Sequence, residues 1–164
     1  MVSLVQKDEY DQFNLVISKK EALTHDSFIM DLKFPNRDWT SGFPVGCSFN
    51  FFATIKGQTI SRRYTTISPL TQRGYVSFAI KVYNKSKEFP NGGLMSQWLD
   101  SRKVGDTIAV EGYFGKLKYL GWGQFLKRKE MLPVKRHVGL IAAGSGITKM
   151  LTIIQASVLA NDGL

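Results

Sequence analysis

The chain has 164 residues, 43% of them apolar and 21% charged, and its 22 Lys and Arg outnumber 13 Asp and Glu for a net charge of +9. That length suits one globular domain, or one domain and part of a second, and the composition excludes a disordered or fibrous chain. No apolar run reaches the ~20 residues of a membrane helix, and the positive charge favours an anionic partner: nucleic acid, phosphate cofactor, acidic protein or anionic membrane. The opening stretch, MVSLVQKDEYDQ, lacks the apolar core of a signal peptide, and Val2 stands where myristoylation requires glycine. A single cysteine, Cys47, excludes an internal disulfide framework. It fits a reducing, intracellular compartment, the cytoplasm or the cytoplasmic face of a membrane.

The first two thirds of the sequence read as short strands. Residues 14–19 and 27–34 are apolar at alternate positions, the second through Phe28, Met30, Leu32 and Phe34. Residues 48–55 lead into Lys56-Gly57, a hairpin signal, and then into residues 59–66. That last strand contains Ser61-Arg62-Arg63-Tyr64-Thr65-Thr66-Ile67-Ser68, where paired cations are followed at once by a ring and a run of hydroxyls. Residues 75–83 alternate cleanly, with Val76, Phe78, Ile80 and Val82 on one face and Ala79, Lys81 and Tyr83 on the other. Residues 107–113 and 115–120 supply a last pair. Six or so short strands separated by turn signals predict a barrel or a sandwich.

One helix interrupts the strands. In FPNGGLMSQWLDSRKVGD, Leu94, Met95, Trp98 and Leu99 recur at helical spacing, and the helix is expected to run to about Val104-Gly105. The Gly92-Gly93 turn before it leaves free backbone N–H groups at the helix start, which suits a phosphate; a simple glycine turn explains the same residues. Between Lys116 and His137 lie seven cations, Lys116, Lys118, Lys127, Arg128, Lys129, Lys135 and Arg136, against Glu130 alone. A solvated basic surface and a docking surface for an anion both fit that run, and no nucleic-acid-binding motif surrounds it. Residues 138–143 are continuously apolar, as in a parallel strand buried on both faces. Gly144-Ser145-Gly146 then makes a tight turn, and Ile147, Met150, Leu151, Ile154 and Val158 follow at helical spacing. Strand, glycine turn and helix are the opening of a dinucleotide-type α/β domain.

Taken together, GFPVG (42–46), RRYTTIS (62–68), IKVY (80–83), FPNGGLMSQWL (89–99), VGDTI (104–108) and AAGSGIT (142–148) resemble the NADH–cytochrome b5 reductase family of ferredoxin reductase-like flavoproteins. The resemblance runs from about residue 12 to the end. It implies a mainly β fold: a six-stranded antiparallel FAD-binding barrel with one helix over residues 10–120. A basic linker over 121–137 and an incomplete NADH-binding domain over 138–164 would follow. It also implies the reaction, hydride transfer from NADH to FAD and then single electrons to an acidic haem protein such as cytochrome b5.

The resemblance further assigns the odd strand to the flavin. Arg62 matches the arginine at the FAD pyrophosphate, Tyr64 the tyrosine packed on the flavin, and Thr65 the residue near its reactive edge. Ala79, Lys81 and Tyr83 match positions lining the FAD site, with Lys81 also able to meet the pyridine nucleotide. Phe89 matches an aromatic beside the adenine half. Gly93, Leu94, Met95 and Ser96 match the turn that holds the pyrophosphate, and Thr148 the threonine that reaches the flavin from the second domain. Thr65 and Thr148 are therefore the residues expected at the chemistry. No metal site, nucleic acid or membrane span is expected, and His25 and His137 receive no role.

Three departures from the family pattern stand out. Lys149 occupies the place of a proline, and Ser48 that of a histidine. The late Cys-Gly-x-Pro motif of the NADH domain has no counterpart in the sequence. With most of an NADH domain missing, the apolar residues 138–164 are expected to pack against a partner, pair with a second copy, or fray. A barrel retained for protein–protein assembly, without catalysis, and a nucleic-acid-binding basic module are the competing readings. Flavin colour separates the first reading from both.

Overall fold

Alternation of buried and exposed side chains builds the main sheet of this computed structural model, which describes residues 12–162. The expectations about residues 1–11 and 163–164 lie outside the described residues. Six strands, β1 (Gln12–Thr24), β2 (Ser27–Lys33), β3 (Ser48–Ile55), β4 (Gln58–Tyr64), β5 (Tyr75–Lys81) and β6 (Thr107–Phe114), form one sheet. All its pairings are antiparallel, in the order β4-β3-β6-β1-β2-β5. This is the mainly β, six-stranded fold expected from the sequence. On β5 the alternation holds: Val76, Phe78 and Ile80 are buried while Tyr75 and Lys81 are exposed. All six strands feed one apolar core, centred on Phe49, Phe51 and Phe78. The Phe49 and Phe51 rings both meet Phe78 edge-on, with centroids 5.4 and 4.9 Å away, an arrangement aromatic pairs favour.

The first strand is longer than the expected 14–19 because it pairs along its whole length, first with β6 and then with β2. Two irregularities in register let it bend between those partners. Helix α1 (Leu94–Asp100) buries Met95 and Leu99 in the core and stops earlier than expected. Ser101 caps it, and Arg102 to Asp106 instead turn the chain through Gly105, at φ +98°, into β6.

Two expectations fail in the next segment. The strand expected at 115–120 is β7 (Leu117–Gly121), and it belongs to a second sheet rather than to the six-stranded one. It pairs with β8 (Gln124–Lys127), which pairs in turn with β9 (Glu130–Met131), and both lie within the expected linker. Basic residues mask the short alternation there. Tyr119 and Phe125 point to one face and form a small second core with Ile153.

Residues 138–143 are not a paired strand. The chain is extended at Ala143, but no described strand lies alongside it. Val138 and Leu140 pack on the second core, whereas Ile141 is 94% exposed. A short 3-10 turn, Gly144–Gly146, then leads into helix α2 (Ile147–Ala160). The helix is where the spacing placed it, but a different face is buried. Thr152, Ile153 and Ser157 face inward, while Ile147, Ile154 and Val158 of the expected apolar stripe stay exposed. The inward face is fixed by polar bonds. At the helix C-terminus, Asp162 accepts hydrogen bonds from Ser157 Oγ at 2.6 Å, the Trp122 N–H at 3.0 Å and the Tyr119 hydroxyl. Gln155 Nε2 donates to the Ile67 carbonyl at 3.0 Å, tying the helix to the segment that follows β4.

Candidate functional site

That tether places the start of α2 over the ends of β4 and β5. Between them and the loop into α1 lies a cavity of about 510 Å3. Of the twelve residues expected at the site, eleven line it: Arg62, Tyr64, Thr65, Ala79, Lys81, Tyr83, Gly93, Leu94, Met95, Ser96 and Thr148. Phe89 does not. Its N–H is held by Ser86 Oγ and its carbonyl accepts from the Ser86 and Gly92 N–H groups, and this turn leaves the ring 72% exposed. Arg63, Asn91, Ser145 and Gly146 also line the cavity without having been expected there, as do Gly92, of the glycine turn, and Lys149, in the place of the family proline.

The odd strand divides its labour. Arg62 is exposed, and its Nη1 donates to the Ser61 carbonyl at 2.7 Å. Arg63 lies over the Phe114 ring, 4.9 Å from its centroid. Tyr64 packs against Phe51 with centroids 4.8 Å apart, and burial pushes its phenol up to about 12. Thr65 Oγ1 shares a buried hydrogen bond of 2.8 Å with Ser48 Oγ. Ser48 therefore has a task in this chain, to fix the Thr65 hydroxyl. Thr66 and Ser68 are architectural. The Thr66 hydroxyl donates to the Ser77 carbonyl, and Ser68 Oγ accepts from the Ser77 N–H, so the chain after β4 is stitched to β5.

The turn into α1 is packed on the end of β5. The Gly93 N–H donates to the Tyr83 carbonyl at 2.7 Å. Ser96 Oγ accepts from the Tyr83 N–H at 3.1 Å and donates to the Gly93 carbonyl at 3.0 Å. A Cβ on Gly93 would fall 2.5 Å from Ser96 Oγ and 2.9 Å from Tyr83 Cβ, so only glycine fits there without displacing a neighbour. At the far wall Thr148 Oγ1 donates to the Ser145 carbonyl within its own turn.

Charge is the other property of the cavity. Arg62, Arg63, Lys81 and Lys149 line it, and among the described residues no Asp or Glu does. Among the described residues only Lys81 of the four has an ion-pair partner, Asp26, at 2.8 Å. Cations, hydroxyls, a buried ring and a glycine turn suit a ligand that carries phosphates and a planar ring.

Sheet, helix and cavity together define a flavin-binding domain of the ferredoxin reductase type. The sequence profile of the oxidoreductase FAD-binding domain family matches residues 14–119, and the chain belongs to that family, in its cytochrome b5 reductase branch. It is 38% identical over 156 residues to NADH–cytochrome b5 reductase 2 of Gallus gallus, covering 91% of this chain and 51% of the relative. It is 40% identical over 139 residues to a nitrate reductase of Betula pendula, covering 84% of this chain and 15% of the relative. Among solved structures it is similar to the cytochrome b5 reductase domain of Ulva prolifera nitrate reductase. That match has a TM-score of 0.84 and 26% identity, over 89% of this chain and 56% of the other. The chain thus spans about half the length of the cytochrome b5 reductases it matches.

Proposed function

We propose that the cavity holds FAD, and that the domain carries electrons from NADH through FAD to an acidic haem protein such as cytochrome b5. The observation that carries this reading is the gathering of Arg62, Tyr64, Thr65, Lys81, Gly93 and Ser96 around one cavity that no Asp or Glu among the described residues lines. FAD, when bound, supplies hydride acceptance and one-electron transfer; the protein supplies placement and charge. Arg62 neutralises the pyrophosphate, with the first N–H groups of α1, which have no acceptor inside the helix, beside it. Tyr64 shields the ring from water, and its phenol stays neutral at working pH. The Thr65 hydroxyl, held by Ser48, is presented to the flavin edge. Thr148 would reach the flavin from the far wall, with Lys149 beside it on the same turn of α2.

Two further parts of the reading rest on the surface. Lys116, Lys127, Arg128, Lys129, Lys135 and Arg136 are all exposed, and among the described residues none is in an ion pair. Such a surface suits an acidic electron acceptor. The exposed Ile141, Ile154 and Val158 take cover from a further protein surface that completes the NADH site.

Purified protein is expected to be yellow, or to take up one FAD when apoprotein is titrated. The charge-assisted contact of Arg62 is worth about 1.5–3 kcal/mol, so Arg62→Ala should weaken FAD binding by about tenfold or more. A protein that takes up no FAD, or an Arg62→Ala variant that binds as well as the parent, overturns the assignment. Anaerobic mixing with NADH addresses the nucleotide. With Lys149 in place of proline, reduction of this chain alone is expected to be slow, and rapid bleaching would refute that.

A further inference from the structure

Asp26 lies outside the cavity wall, in the turn between β1 and β2, yet it holds one of the four cavity cations. Its Oδ2 accepts from Lys81 Nζ at 2.8 Å. Its Oδ1 accepts from Thr24 Oγ1 at 2.9 Å and from Ser27 Oγ at 3.1 Å. The Asp26 carbonyl accepts from the Val82 N–H at 2.7 Å, which fixes the backbone between Lys81 and Tyr83. The carboxylate is only 19% exposed, whereas the Lys81 side chain is 48% exposed. His25 Nε2, 3.7 Å from Oδ2, is the other basic group in reach, and it is 91% exposed. The anchor is therefore tightly held and the lysine it holds is otherwise free to swing.

We propose that Asp26 is a positioning residue: it pins the Lys81 ammonium at the cavity mouth in one rotamer, facing a phosphate-bearing ligand. The inference rests on the reading of the cavity as an FAD site. An ammonium has three N–H donors, and Asp26 takes one of them. The remaining two are available to the ligand while the pair stays intact. A free lysine side chain loses rotamer freedom when it is fixed on a ligand. The Asp26 contact makes that loss before the ligand arrives. Arg62, Arg63 and Lys149 have no such anchor among the described residues, so Lys81 is the pre-set cation of the set.

Asp26→Asn tests this selectively. An asparagine Oδ1 still accepts from Thr24 and Ser27, so the turn keeps its hydrogen bonds. What is lost is the carboxylate charge that faces Lys81 and, more distantly, the exposed His25. Removing a carboxylate also makes the cavity more positive, which would tighten binding of an anion. The two effects separate in salt, because the Debye length falls to about 3 Å at 1 M and distant charges are then screened. FAD is titrated into apoprotein at high salt and followed by flavin fluorescence. The expected result is binding weakened about two- to fivefold in Asp26→Asn, unchanged by the same substitution in a Lys81→Met background, and regained in part in Asp26→Glu. Equal effects in both backgrounds, tighter binding at high salt, or no recovery with Glu would overturn the proposal. If the parent apoprotein takes up no FAD, the cavity reading itself has failed; if it binds and the double substitution is additive, only the role of Asp26 has.

Discussion

Adding one methyl group at Gly93 should damage the fold and the cavity together. The Gly93 backbone, at φ −88° and ψ 95°, is open to any residue, so the cost of Gly93→Ala is steric and not conformational. The new Cβ would sit 2.5 Å from Ser96 Oγ and 2.9 Å from Tyr83 Cβ. Ser96 is buried, and its hydroxyl makes two bonds, accepting from the Tyr83 N–H and donating to the Gly93 carbonyl. Relief therefore requires Ser96 to leave its rotamer, or Tyr83 and its strand end to move. Two hydrogen bonds at about 1 kcal/mol each, or overpacking strain of about 1–3 kcal/mol, give a loss of about 2–3 kcal/mol. Tyr83 and Ser96 line the cavity, so FAD affinity should fall as well, by about tenfold for each 1.4 kcal/mol transferred to the bound state. Gly139→Ala is the matched control, because a Cβ there meets nothing within 4 Å. Urea denaturation of both apoproteins gives the stability difference, and fluorescence titration gives the affinity. If the two variants unfold at the same urea concentration and bind FAD equally, the packing argument at Gly93 is wrong.

Lys81 and the Thr24 hydroxyl hold the Asp26 carboxyl down at about 2, from 3.8. Its contribution to stability is then fully present above pH 3.8 and disappears as pH falls through about 2; acid unfolding of Asp26→Asn should differ from the parent above that window and converge with it below. Asp162→Ala strips acceptors from Ser157, Tyr119 and the Trp122 N–H. Leaving buried donors unpaired costs about 1–3 kcal/mol each, so hydrogen exchange in α2 and β7 should quicken while the six-stranded sheet stays protected. Uniform quickening across both would show that the two cores are one cooperative unit.

Legibility differed along the chain for physical reasons. Where one face of a strand meets the core and the other meets water, as on β2 and β5, period-two patterning is plain. β8 and β9 escaped because four- and two-residue strands among lysines carry too few apolar positions to show a period. Helix α2 was legible as a helix but not in orientation. Its apolar stripe is the stronger signal, yet Gln155, Ser157 and Asp162 decide which side faces the small sheet. At the cavity, eleven of the twelve residues expected from the family resemblance line one wall or another; their roles toward a ligand belong to the proposal. Phe89 lies off the cavity lining because the backbone bonds of its turn, invisible in residue type, leave it exposed. The partnership of Ser48 with Thr65 joins residues on neighbouring parts of the sheet, and only the fold brings them together.

The cavity wall draws on residues 62–65, 79–83, 91–96 and 145–149, stretches far apart in the chain. No hairpin or helix could present it alone, and an intermediate with α2 undocked would lack one wall. The loop closures it requires come late in folding, because distant contacts repay their entropy only after nearer ones have formed. A ligand that fills it recognises the finished fold and ignores partial ones. At a concentration one hundred times its dissociation constant, such a ligand adds about 2.7 kcal/mol to the stability of the whole domain. The bond from Gln155 to the carbonyl of Ile67, which holds α2 against the barrel side of the cavity, then belongs to folding and to ligand capture alike.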